Sequence, residues 1–120
     1  MDDEEPVARA IARALGDRFD VTLAHSVDGA QRALDHASFD VVVSDICMPG
    51  KSGLDLHAWL EASSPEIASR VVFITGGSPN PSERARLARL PNPCLGKPFH
   101  TEELEDIVLA VAKSAGSRAP

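Results

Sequence analysis

Short apolar segments of strand length alternate along this chain with longer segments in which apolar residues recur at helical spacing. The apolar segments are residues 21–25, 41–44 and 71–74, with a weaker fourth at 94–96. Those at 41–44 and 71–74 are almost uninterrupted apolar runs, which is typical of parallel strands buried on both faces. We therefore predict four strands of one parallel sheet.

Five helices are predicted between and around these strands. The third follows Ser52, an N-cap residue with Asp55 three positions later, and it ends before Pro65, whose ring cannot continue a helix. The predicted helices begin at or just after Pro6, Val27, Ser52, Asn80 and Thr101. Alternation of strands and helices predicts a doubly wound α/β fold, with helices on both faces and ligands at the carboxyl ends of the strands. The predicted domain spans residues 1–114, and residues 115–120 form a C-terminal tail.

Composition and charge narrow the class of protein. The chain has 120 residues, 43% of them hydrophobic and 25% charged, with a net charge of −6. This composition supports one folded domain, and the negative charge argues against direct binding of nucleic acid. No apolar run approaches the roughly 20 residues that span a bilayer, and the start of the chain is acidic. We expect a cytoplasmic domain without membrane contact.

Three polar residues stand where predicted strands end. Asp45 follows the run Val41-Val-Val-Ser44, Thr75 follows the next strand, and Lys97 follows the last. Each is ordinary alone, since Asp is common in turns and Lys on surface loops. Together they would place a carboxylate, a hydroxyl and an ammonium at one edge of the sheet, which is the arrangement that phosphoryl transfer needs.

An acidic cluster precedes the first helix. Asp2, Asp3 and Glu4 stand where acids are also common because they favour a helix start. In a doubly wound fold they would reach the same edge as Asp45, where clustered carboxylates need a cation to neutralise them. Oxygen ligands of this kind predict Mg²⁺ and not zinc.

The pattern as a whole resembles the receiver domain of response regulators, the CheY-like family with a flavodoxin-like sheet. The matching motifs are the early acidic residues, Asp45-Ile-Cys-Met-Pro-Gly-Lys-Ser-Gly-Leu, Thr75 followed by glycine, and Lys97-Pro-Phe. The spacings of 30 residues from Asp45 to Thr75 and 52 from Asp45 to Lys97 also agree with the family.

This resemblance implies a role for each site residue. Asp45 would accept the phosphoryl group, Asp3 would bind Mg²⁺ directly, Asp2 would bind it directly or through water, and Cys47 would contribute its backbone carbonyl. Lys97 would pair with the phosphoryl oxygens across a cis bond to Pro98, and Thr75 would move to meet the group. The donor would be a histidine kinase or a histidine phosphotransfer domain in a two-component phosphorelay.

The sequence departs from the family pattern at two places. Receivers have an apolar strand before the acidic pair, whereas here only Met1 precedes Asp2. We expect a truncated boundary, with rearrangement or a homodimer formed through unpaired strands, and reduced binding of Mg²⁺. Cys94 stands where receivers usually have a switch aromatic, so the common coupling to Thr75 cannot operate. Residues 91–99 also resemble receivers at the end of hybrid sensor histidine kinases.

Two alternatives remain open. The chain could be a phosphorylation-incompetent pseudo-receiver that only docks a partner, for which the shortened start is an argument. A phosphatase with an aspartyl nucleophile is a weaker alternative, because such enzymes need a second Asp where this chain has Cys47. Two further sets of residues are predicted to be ordinary surface groups: the histidines His25, His36, His57 and His100, and the fourth-helix arginines Arg84, Arg86 and Arg89.

Overall fold

The computed structural model describes residues 1, 5–16, 19–46, 52–76, 80–96 and 99–116. Within these ranges the helices are α1 (Glu5–Leu15), α2 (Val27–His36), α3 (Gly53–Ser63), α4 (Pro65–Ala68), α5 (Pro81–Ala88) and α6 (Thr101–Gly116). The strands are β1 (Val42–Asp45), β2 (Val71–Thr75) and β3 (Cys94–Gly96).

The three strands form one parallel sheet in the order β1-β2-β3. In the register of the sheet, Asp45 lies opposite Ile74, and Thr75 lies opposite Gly96. Parallel strands that are adjacent in this order need crossover connections, which the intervening helices supply. The predicted strands at 41–44, 71–74 and 94–96 are therefore confirmed, with β1 shifted by one residue to include Asp45.

The predicted strand at residues 21–25 is wrong, since this segment is not part of the sheet. A strand needs a neighbour for its backbone hydrogen bonds. Among the described residues, Met1 lies beside β1: its amino group donates to the Val43 carbonyl, and its carbonyl accepts from the Asp45 N–H at 2.9 Å. One residue of ladder cannot extend the sheet to residues 21–25.

The predicted helix starts at Ser52 and Asn80 are confirmed by their caps. Ser52 accepts from the Leu54 N–H at 3.3 Å, and the Asp55 side chain accepts from the Ser52 N–H at 2.8 Å. Asn80 and Glu83 exchange the corresponding bonds at 2.8 and 3.0 Å. These reciprocal bonds satisfy N–H groups that a helix start leaves unpaired.

The number of helices differs from the prediction of five. After α3 ends at Ser63, the chain forms the additional short helix α4, which begins at Pro65. Proline cannot continue α3, but it suits a first helical position, so the same residue ends one helix and begins the next.

The last helix, α6, runs to Gly116, two residues beyond the predicted domain boundary at 114. The predicted tail at 115–120 otherwise lies outside the described residues and stays a prediction. In the described part of the chain, no helix is both long and apolar enough to cross a bilayer.

Both faces of the sheet are covered by helices, as a doubly wound fold requires. Phe73 packs with α2 and α3 on one face, and Ile74 packs with α1 and α6 on the other. Successive residues of a strand point to opposite faces, so the uninterrupted apolar run of β2 fills both core layers. Polar side chains are consequently restricted to the strand ends.

The start of α3 packs directly on the end of β1, and glycine is required there. A methyl group at Gly53 would overlap the Ser44 hydroxyl and lie 2.8 Å from the Asp45 carbonyl oxygen. Ser44 is fully buried, and among the described residues its Oγ is a buried side-chain atom without a hydrogen-bond partner. This close approach fixes the distance between α3 and the end of β1.

We predict that Gly53→Ala destabilises the domain by about 1–3 kcal/mol, the usual cost of overpacking, despite alanine's better helix propensity. Urea unfolding followed by circular dichroism measures this difference. Gly29→Ala is the control, because a methyl group there would meet only side chains, at 3.2 Å or more.

The double variant Ser44→Ala/Gly53→Ala tests whether overlap with the Ser44 hydroxyl causes this destabilisation. Removing the Ser44 hydroxyl relieves one of the two close contacts and a buried unpaired group, so it is expected to restore part of the lost stability. A double variant no more stable than Gly53→Ala would contradict the assigned contact.

Candidate functional site

The carboxyl ends of the three strands meet at one edge of the sheet. Asp45 is the last residue of β1, Thr75 is the last of β2, and Gly96 is the last of β3. Because all pairs are parallel and β2 lies in the middle, these residues face the same edge. The structure thus brings together Asp45 and Thr75, as predicted, and places the backbone that leads to Lys97 beside them.

Asp45 is the buried acid of this edge, with 2% of its surface exposed. Its N–H donates to the Met1 carbonyl at 2.9 Å, and the next residue, Ile46, donates to the Ile74 carbonyl at 3.0 Å. The backbone on both sides of the Asp45 carboxylate is therefore held by neighbouring chain. A buried carboxylate with a fixed backbone is a suitable nucleophile or ligand, because little ordering is needed when a reactant arrives.

Thr75 is half-buried and lies between β1 and β3. A methyl group at Gly96 would lie 3.7 Å from Thr75 Oγ1, an ordinary contact, so the hydroxyl is close to the end of β3. The Thr75 side chain also forms a hydrogen bond with Cys94. Cys94, which stands where receivers usually have the switch aromatic, is thus in contact with the Thr75 side chain.

Cys94 is an exposed residue with a free thiol. Partial desolvation raises the pKa of this thiol, and the hydrogen bond with Thr75 lowers it by a smaller amount. A raised pKa keeps the thiol protonated at neutral pH. The partner of Thr75 is therefore a neutral thiol, which adds no negative charge at the strand ends.

Arg86 joins α5 to the first turn of α3, a contact that the sequence did not predict. Its guanidinium donates to the Leu54 carbonyl at 3.2 Å and lies 3.9 Å from the Asp55 carboxylate. The arginine side chain remains 46% exposed, so its ion pair adds little to stability. Arg86 thus connects α5, which follows Thr75 along the chain, with α3, which packs on β1.

His57 was predicted to lie on the surface, and this prediction is wrong. The residue is 5% exposed, its ring lies 5.6 Å from that of Phe73, and its Nδ1 lies 3.0 Å from Glu61 Oε1. Its position three residues after Leu54 and three before Leu60 is the signal that places it on the buried face of α3. The other three histidines, His25, His36 and His100, are exposed.

Four predicted site residues, Asp2, Asp3, Cys47 and Lys97, lie outside the described residues. Within the described ranges no group of three or more His, Cys, Asp or Glu side chains is placed to hold a metal ion. Asp45 is the predicted metal ligand that the structure does place. Its carboxylate is a hard oxygen donor of the kind that Mg²⁺ selects.

Comparison with known proteins agrees with this arrangement. The response regulator receiver domain family matches residues 1–109. The chain is 26% identical over 119 residues to the uncharacterized transcriptional regulatory protein YkoG of Bacillus subtilis (strain 168), in a match that covers 98% of this chain and 51% of YkoG. The chain thus spans about half the length of that curated relative.

Solved structures show the same fold. A response regulator receiver domain protein from Clostridium thermocellum has a TM-score of 0.84 at 26% identity, covering 98% of this chain and 94% of that one. The signal receiver domain of a signal transduction histidine kinase from Syntrophus aciditrophicus has a TM-score of 0.84 at 22% identity, covering 100% of this chain and 91% of that one. With a family match over most of its length and the corresponding fold, the chain belongs to the response regulator receiver domain family.

Proposed function

We propose that this domain accepts a phosphoryl group from a phosphohistidine onto Asp45. The observation that carries the proposal is the position of Asp45, a buried carboxylate at the strand-end edge with Thr75 on the adjacent strand. Asp45 has the type and spacing of a receiver phosphoacceptor, and the family match covers it. The donor is a histidine kinase or a histidine phosphotransfer domain.

The reaction is an exchange of one bond to phosphorus for another. A carboxylate oxygen of Asp45 attacks the phosphorus, the bond from phosphorus to the histidine nitrogen breaks, and the imidazole leaves with a proton from solvent. The product is an acyl phosphate on Asp45. The backbone hydrogen bonds on both sides of Asp45 fix the main chain that carries the attacking carboxylate, which lowers the entropic cost of reaching the reactive geometry.

Charge accumulates on the phosphoryl oxygens, and neutral or cationic groups of the chain stabilise it. Thr75 would donate its hydroxyl hydrogen to one oxygen, and Lys97, which follows Gly96, would supply an ammonium to another. Asp45, Asp2, Asp3 and the Cys47 carbonyl would hold Mg²⁺. When bound, this ion neutralises the negative charge that the carboxylates and the phosphoryl group bring together.

Proteins similar to this chain occur in two contexts. YkoG is a transcriptional regulatory protein, and the Syntrophus receiver comes from a histidine kinase. Placement of this domain at the end of a hybrid histidine kinase stays a prediction, as does a homodimer formed through unpaired strands.

The first test is the intact mass of the protein after incubation with phosphoramidate, a small donor with the same phosphorus–nitrogen bond, and Mg²⁺. We predict one phosphoryl adduct in the wild type and none in Asp45→Asn or with EDTA. Asp35→Asn is the matched control, because it neutralises an exposed aspartate on α2, away from the strand ends. Circular dichroism confirms that each variant is folded.

Persistence of the adduct in folded Asp45→Asn would show that another residue is the acceptor. Absence of any adduct from the folded wild type, with either phosphoramidate or a phosphorylated histidine phosphotransfer domain, would contradict the proposal. That result would favour the alternative of a pseudo-receiver that only docks its partner.

Thr75→Ala is expected to slow phosphorylation of Asp45 by about tenfold or more, because one hydrogen-bond donor to the developing charge is lost. Thr75→Ser is the matched control: it keeps the hydroxyl and is expected to retain most of the rate. The initial rate of adduct formation measures both. Equal rates in the alanine and serine variants would remove Thr75 from the proposed mechanism.

A further inference from the structure

In the described part of the chain, α5 is the helix that has no fully buried residue. Leu87, and Leu90 just after the helix, are half-buried and pack against the core cluster that contains Phe73. A helix of eight residues is not stable by itself in water, so it depends on contacts with the rest of the domain. With so little apolar burial, each polar contact between α5 and another element has a large influence on where α5 lies.

Arg86 makes the polar contact that joins α5 to α3. Its Nη2 donates to the Leu54 carbonyl at 3.2 Å, and its Nη1 lies 3.9 Å from Asp55 Oδ1. Leu54 is buried, with 1% of its surface exposed, so the hydrogen bond is partly shielded from water. A bond from a charged donor is stronger than one between neutral groups, whereas the ion pair with Asp55 is exposed and screened. The attachment of α5 to α3 therefore depends mainly on the bond to the Leu54 carbonyl.

The turn of α3 that Arg86 contacts lies against Asp45. The residue before Leu54 is Gly53, and a methyl group on it would lie 2.8 Å from the Asp45 carbonyl oxygen. The capping box of Ser52 and Asp55 holds the same turn. Because close-packed groups move together, a displacement of this turn would displace the backbone of Asp45 as well.

The other end of the contact leads along the chain to Thr75. Five residues, 76–80, connect Thr75 to the first residue of α5. Asn80 is fixed to α5, because its side chain accepts from the Glu83 N–H at 2.8 Å and its N–H donates to the Glu83 carboxylate at 3.0 Å. A short connection between two fixed ends has few conformations available. Holding α5 in place therefore restricts the chain that leaves Thr75.

We propose that Arg86 is a positioning residue for phosphoryl transfer. By joining the helices that follow Asp45 and Thr75, it holds the Thr75 hydroxyl in place relative to the Asp45 carboxylate. The inference rests on the proposed transfer to Asp45. β1 and β2 are already joined by the ladder, in which Asp45 lies opposite Ile74. The Arg86 bond joins the same two segments a second time, beyond the sheet, and two attachments prevent a rotation that one attachment would permit.

Arg86 acts through Thr75 and does not touch the reacting atoms. Without the bond to Leu54, α5 and the connection before it would sample more positions, and the Thr75 hydroxyl would spend less time where it can donate to a phosphoryl oxygen. Transfer is slower when a donor must be ordered during the reaction. A surface arginine that served only folding would affect the rate equally with or without the Thr75 hydroxyl, and this difference makes the proposal testable.

The first test is the initial rate of phosphoryl adduct formation on Asp45, measured by intact mass with phosphoramidate and Mg²⁺. Arg86→Gln is expected to slow this rate by about three- to tenfold, because the guanidinium bond to α3 is lost. Arg86→Lys keeps a charged donor for the Leu54 carbonyl and is expected to stay within about twofold of the wild type. Arg89→Gln is the matched control, since it removes an exposed guanidinium next to the same helix and is expected to keep the wild-type rate.

A second comparison repeats Arg86→Gln in the Thr75→Ala background. There the hydroxyl that Arg86 positions is absent, so the variant is expected to slow the rate by less than about twofold. An equal loss in both backgrounds would show that Arg86 acts independently of Thr75 and would overturn the proposal. An unchanged rate in Arg86→Gln would overturn it as well.

Hydrogen exchange in the unphosphorylated protein tests the attachment of α5 by itself. Arg86→Gln is expected to speed exchange of the Leu87 and Ala88 amides by about tenfold relative to the wild type, with no change in α2. Unchanged exchange in α5 would contradict the attachment and overturn the proposal. A wild type that forms no adduct would reject the proposed function itself, whereas a wild type that reacts, with no Thr75-dependent effect of Arg86, would reject only the positioning role.

Discussion

The parallel hydrogen-bond ladder between β1, β2 and β3 is the constraint on which the rest of this domain depends. Its register sets Asp45 opposite Ile74 and Thr75 opposite Gly96, so that three strands end within one residue of each other. A shift of one residue would turn every side chain to the opposite face and move the apolar runs out of their core layers. Burial on both faces therefore fixes the register, and the register in turn aligns the polar strand ends.

The elements around the strand ends reinforce this alignment. Gly53 lets α3 approach the end of β1, and the capping box of Ser52 and Asp55 fixes where that helix begins. Arg86 ties α5 to the same turn through the Leu54 carbonyl. The chain segments that follow Asp45 and Thr75 thus both lead to helices with fixed starts.

Much of the fold and of the candidate site was predictable from the sequence, because it depends on local chemistry. The caps at Ser52 and Asn80 depend on residues three positions apart, and Asp45 and Thr75 were identified because polar residues end apolar runs. The segment at 21–25 has the composition of a strand, but strand formation depends on a neighbour distant in sequence, and in the described residues this segment has no strand partner. The burial of His57 likewise depends on packing against Phe73, which helical spacing could indicate and composition could not.

We propose that the three strand ends act as one site for a phosphoryl group held by Asp45. The most direct measurement is the change in amide chemical shifts when beryllofluoride, a phosphoryl mimic, is added with Mg²⁺ to ¹⁵N-labelled protein. We predict saturable changes concentrated at Ile46, Gly76 and Gly96, the amides at or next to the strand ends. An unchanged spectrum, or changes confined to residues 19–24, would contradict it.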